Sequence, residues 1–137
     1  CYQWVGEELV QLSVDHTVMQ ELMSQGRLTA DEVASHPQRS LLTQALVGDS
    51  GIDPVLIVFP AKVGDSFLLC SDGLSSVLTL EEMNTTVIKN RTDGQAIIDD
   101  LVKQTKAKGA PDNVTVIWAE VVAVEPTAEL VMIGAAK

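Results

Sequence analysis

Long apolar runs, paired cysteines and clustered basic residues are all scarce in this sequence, and each scarcity removes a class of protein. No stretch of the 137 residues approaches the roughly 18 apolar positions that a bilayer-spanning helix needs, so no membrane segment is expected. The opening CYQWVGEE lacks the basic start, apolar segment and small-residue cleavage site of a secretory signal, which favours a cytoplasmic location. Cys1 and Cys70 cannot build a disulfide framework, and no C-x-x-C spacing points to redox chemistry or a zinc knuckle. Cys70, which follows Phe67, Leu68 and Leu69, reads as a small buried hydrophobe. Nine basic residues stand against nineteen acidic ones, a formal net charge of −10 that repels nucleic acid. The basic cluster of Lys103, Lys106 and Lys108 reads as the solvated C-terminal end of a helix, where cations complement the dipole. Neither G-x-x-x-x-G-K-[ST] nor G-x-G-x-x-G occurs. His16 and His36 have no serine or cysteine elbow beside them and read as surface or capping residues.

An apolar fraction of 46% and a mean hydropathy of +0.19 describe a folded domain with a sizeable core. Tyr2, Trp4 and Leu9 alternate around Gly6-Glu7 and predict a β-hairpin. Val18, Met19, Leu22 and Met23 predict a short amphipathic helix, capped by Asp15 or Thr17 and stopped at Gly26. Thr29 with Glu32, and Thr79 with Glu82, are capping boxes, the first helix ending near Pro37 and the second starting just after a Ser71-Asp72-Gly73 turn. Residues 55–59 and 66–70 predict two strands joined across Pro60 and Gly64-Asp65. A helix capped by Asp93 and stopped at Gly109 carries Ile97, Ile98, Leu101 and Val102 on one face. A β-branched run from Asn113 predicts the last strand, and the residues beyond Pro126 read as a tail or linker.

Two aspartates occupy matching positions: Asp72 just past the strand ending at Cys70, and Asp112 just before the strand beginning at Val114. If those strands are neighbours, both carboxylates reach one end of the sheet. Mg²⁺ and Mn²⁺ take oxygen ligands of this kind together with several waters. Each motif is also an ordinary turn, Asp-Gly in one case and Pro-Asp-Asn in the other, and spacing alone leaves both readings open.

GDSFLLCSDGL followed by a capped helix, and KGAPDNVTVI ahead of the last strand, resemble the two C-terminal signature motifs of the metal-dependent serine/threonine protein phosphatases of the 2C type. WVGEELVQLSVDH and VDHTVMQELMSQGRLTADEVASHPQRSLLTQALVGD resemble, in order and spacing, the hairpin, helix and flap region of bacterial members. The resemblance runs through residues 2–122 and implies an α+β fold, part of a four-layer α/β/β/α sandwich with two antiparallel sheets face to face. It implies a binuclear Mg²⁺ or Mn²⁺ centre, with Asp72 a ligand of one metal that also helps hold a third, Asp112 completing the first metal's shell, and Asn113 supporting the turn. The implied reaction is direct hydrolysis of phosphoserine and phosphothreonine proteins by a water bridging two cations about 3.5–4 Å apart. Bound cations would also reconcile the acidic chain with a phosphorylated substrate.

The family's bridging aspartate, its D-x-N-E-D-type and D-G-x-G-G segments and its phosphate-binding arginine have no counterpart here. Ser76 stands where an acidic residue is common, and Ala110 where glycine is frequent. The resemblance therefore implies the C-terminal half of a phosphatase domain over residues 1–124, with 125–137 a tail or linker. Such a chain is expected to be inactive alone and to pair with the missing N-terminal half, or with itself, through exposed edges. The alternative is a catalytically silent phosphatase-like module acting in protein interaction.

Overall fold

The computed structural model describes residues 1–29, 32–33, 36–38, 41–44 and 53–123. Tyr2–Val5 (β1) and Glu8–Gln11 (β2) form the expected hairpin, turning at Gly6, whose φ of +64° suits a residue without Cβ. Trp4 pairs with Leu9, and Tyr2, Trp4 and Leu9 are buried together on one face, as their alternation requires. Val18–Ser24 (α1) follows, and Thr17, not Asp15, caps it through its side chain on Gln20 N at 3.1 Å. Residues 41–43 run beside its start, with Val18 N donating to Leu41 O and Thr43 N to His16 O.

Ser66–Cys70 (β3) lies between β1 and Val116–Glu120 (β4), giving a four-stranded antiparallel sheet in the order β2-β1-β3-β4. The register of Leu68 against Tyr2 on one side and Trp118 on the other carries the buried row across the sheet. Leu80–Lys89 (α3) and Gly94–Ala107 (α4) cover that face. Met83 and Val87 from α3, and Ile97 and Leu101 from α4, join Leu68, Leu74 and Leu78 in the core. Each such aliphatic side chain contributes about 1.5–3 kcal/mol when removed from water. Gly94 lets α4 begin directly against Trp118, because a Cβ there would meet the indole ring at 2.7 Å. Arg91 closes this end of the core, its guanidinium 5.6 Å from the Trp4 ring and 5.9 Å from the Trp118 ring, with Glu120 at 3.6 Å.

Both predicted capping boxes form: Thr29 N donates to Glu32 Oε2 at 2.8 Å, and Thr79 N to Glu82 Oε2 at 2.9 Å. Of the first helix only residues 32–33 are described, and they are helical; the predicted tail lies outside the described residues. The cap at Asp93 and the stop at Gly109, with φ of +102°, are as expected. Ala110 follows at φ +38°, the left-handed region where glycine would be unstrained.

Four expectations need correction. The run at residues 55–59 is not a strand: no described backbone hydrogen bond involves it and its side chains are exposed. A strand needs a partner, and β3 already has one on each side. The Ser71-Asp72-Gly73 turn is instead the start of a one-turn helix, Asp72–Ser75 (α2), and Cys70 is half-buried, not fully buried. Finally, the last strand begins at Val116, not Val114, and spans only five residues, because β3 offers five partners.

Candidate metal centre

Where β3 ends and β4 begins, Cys70 pairs with Val116, and the segments flanking the two strands there stay joined to each other. Ser71 N donates to Thr115 O at 3.0 Å, and Thr115 N donates to the Ser71 hydroxyl at 3.1 Å. That hydroxyl donates in turn to Asn113 O at 3.1 Å. Gly73 presses against the same carbonyl so closely that a Cβ would fall on it. Ser71 is the N-cap of α2 but makes no side-chain cap bond, because its oxygen is committed to the other segment.

This stitching sets Asp72, the first residue of α2, and Asp112 at the same end of the sheet, although 40 positions separate them. Both are exposed. Asp112 Oδ1 accepts from Asn113 N at 2.7 Å, which folds its turn, and Asn113 acts here through its backbone.

Asp72 also lines a cleft of about 580 Å³ between the start of β1, α1 and α2. That volume is in the range of small-ligand sites. Tyr2, Cys70, Asp15 and His16 share its wall. Burial, with the charges of Cys70 and Asp15 adding to it, pushes the Tyr2 phenol up to about 12. Burial also raises the Cys70 thiol, against the pull of the N-terminal ammonium. Sequence patterning did not reveal this cleft, since its wall comes from five separate stretches. His36 has a capping role, its Nδ1 accepting from Gln38 N at 3.2 Å.

Two exposed carboxylates at one sheet end are right in kind for a hard divalent cation. They are short in number: among the described residues no group of three or more His, Cys, Asp or Glu could hold a metal ion. Nor is any helix among them long and apolar enough to cross a membrane.

No family profile matches the chain. It is 41% identical over 115 residues to the serine/threonine protein phosphatase PstP of Mycobacterium tuberculosis, covering 84% of this chain and 22% of that protein. It is 30% identical over 112 residues to the serine/threonine phosphatase stp of Listeria monocytogenes, covering 82% of this chain and 44% of that protein. The crystal structure of M. tuberculosis PstP superposes with a TM-score of 0.82 at 37% identity, over 88% of this chain and 50% of that one. The PstP catalytic domain in complex with two manganese ions gives 0.76 at 34% identity, over 88% and 49%. The chain thus spans between a fifth and a half of the length of these relatives.

Proposed function

We propose that this chain, a homologue of the bacterial 2C-type serine/threonine phosphatases with the fold of about half their domain, supplies one part of a metal-dependent phosphoprotein phosphatase. The observation that carries this reading is the Ser71 hydroxyl, which binds the Asp72 turn to the Asp112 turn at one sheet end within a sequence 41% identical to PstP.

Asp72 and Asp112 would hold Mg²⁺ or Mn²⁺, with the remaining ligands coming from the other half of the domain. When bound, the cations supply Lewis acidity toward water and toward the phosphoryl oxygens of a phosphoserine or phosphothreonine. This chain's residues orient that site. Ser71 and Gly73 hold the two turns at close range, and the Asn113 amide orients the Asp112 carboxylate through its hydrogen bond. The neighbouring cleft, with Asp72 on its wall, gives the substrate polypeptide a place beside the centre. Two free thiols support a cytoplasmic location for the enzyme.

Two carboxylates form too small a shell to hold a binuclear centre, so the 137-residue chain alone should not hydrolyse phosphate. The test is hydrolysis of a phosphothreonine peptide with Mn²⁺, by the chain alone and by the chain joined to the part of the PstP catalytic domain that it does not match. Activity is expected only in the joined protein, falling at least about 100-fold in Asp72→Asn and in Asp112→Asn. Turnover by the lone chain at the joined protein's rate, or full activity in either variant, would overturn the reading.

A further inference from the structure

Tyr2 opens β1 on the core face of the sheet, paired with Leu68 on one side and Gln11 on the other. Its ring belongs to the core cluster with Trp4 and Leu68, and only 7% of the residue is exposed. A phenol buried to this degree ordinarily finds a hydrogen-bond partner. Among the described residues Tyr2 has none. No side-chain oxygen of these residues is both sealed from solvent and unpaired, so the phenol oxygen is where Tyr2 reaches open space. That space is the cleft of about 580 Å³ whose wall Asp72 shares.

Burial, with Cys70 and Asp15 adding to it, holds the phenol up at about 12, so near neutral pH it is a fixed neutral donor. The rest of the wall narrows what it can donate to. Asp15 and Asp72 bring carboxylates, and among the described residues no lysine or arginine lines the cleft. A carboxylate or a second phosphate entering there would meet like charge, whereas a neutral oxygen would not. Met23, Val33 and Leu42 make part of the wall apolar, which suits a polypeptide more than a free anion. Thr17 and Gln11 also line the cleft, but the fold already engages them, one as the cap of α1 and the other through its amide on Ser13 O. The acceptor that matches an unengaged neutral donor on such a wall is a peptide carbonyl.

We propose that the Tyr2 hydroxyl positions the substrate polypeptide by donating a hydrogen bond to a main-chain carbonyl of a residue flanking the phosphoserine or phosphothreonine. The inference rests on the phosphatase reading for the phosphorylated residue, and on the cleft alone for the carbonyl. Asp72 belongs to both places, since it stands at the candidate metal centre and on the cleft wall. The phosphoryl group goes to the centre and its flanking chain goes to the cleft. Tyr2 thereby favours phosphorylated polypeptides over small phosphate esters, which have no flanking carbonyl to offer.

Tyr2→Phe in the joined protein tests this, because it removes the oxygen and leaves the ring in the core. Toward a phosphothreonine peptide the KM should rise about fivefold to tenfold with kcat held within about twofold, the pattern of a lost binding contact. Hydrolysis of para-nitrophenyl phosphate should change by less than about twofold. The dephosphorylated peptide, which cannot turn over, should bind more weakly by the same factor as the KM, read by fluorescence anisotropy. The urea midpoint should keep its wild-type value, since the oxygen holds no partner in the fold. Wild-type KM and peptide affinity would overturn the proposal. Equal losses on the peptide and the aryl ester would place the phenol at the phosphoryl group and overturn it too, and a lowered midpoint would show that the rest of the domain already bonds the oxygen. If peptide binding depends on the Tyr2 oxygen while Mn²⁺-dependent hydrolysis is absent, the phosphatase reading fails and the Tyr2 contact stands.

Discussion

Leu68 and Leu69 are adjacent on β3 and identical in chemistry, but Leu68 is fully buried under α3 and α4 while Leu69 lies 41% exposed on the opposite face. The same contrast runs through the whole sheet. On the helix side, ridges of Met83, Val87, Ile97 and Leu101 close over the strands. On the other side an equally apolar surface meets water and the unpaired run at residues 55–59. A strand's apolar content therefore does not say which face this chain can bury; that depends on which elements are available to cover it.

The largest expected effect breaks this contrast at its centre. Leu68→Ala should destabilise the chain by about 2–5 kcal/mol in urea denaturation. Leu69→Ala should stay within about 0.5 kcal/mol in the lone chain, and should become costly only once the open face is covered. Equal effects in the lone chain would mean that the open face is already packed.

Gly73→Ala comes next, because its Cβ would fall on the Asn113 carbonyl and force the two aspartate turns apart. A loss of about 1–3 kcal/mol is expected, with weaker Mn²⁺ binding to the joined protein by calorimetry. Unchanged metal affinity would show that the close approach does not position the carboxylates. Thr79→Ala removes the cap of α3, which should lower stability by about 1 kcal/mol.

The smallest effect concerns pH. Glu82 is held below the ordinary carboxylate range, first by its hydrogen bond from Lys108 and then by the Thr79 amide. Its contribution is therefore present above the unfolded pKa of about 4.3 and is lost as pH falls through the lower folded value. Glu82→Gln should flatten the acid limb of the stability profile below about pH 5, by a margin that shrinks in high salt because the pair is exposed. An unchanged acid limb would show that the pair between α3 and α4 contributes nothing in solution.

Local chemistry was legible wherever neighbours in sequence settle the outcome. The hairpin at Gly6, the cap boxes at Thr29 and Thr79, the Asp93 cap and the Gly109 stop all involve groups within a few residues of each other. The aspartate motifs were legible as a pair through their resemblance to the family's signatures. How they are held was not, because the bond from the Ser71 hydroxyl to Asn113 O spans 42 positions. Ala110 was visible as a departure from glycine, but its φ of +38° was not.

By itself, then, the sequence determined α1, α3, α4 and the hairpin, and marked two aspartates as candidate oxygen ligands, because caps, periodicity and residue type act over a few bonds. Only the tertiary structure decided that β3 takes partners on both flanks, which leaves residues 55–59 without a described strand partner. It also decided that Asp72 and Asp112 share one sheet end. Pairing of strands and convergence of turns depend on contacts between segments tens of residues apart, and no local propensity specifies which of the possible partners will be met.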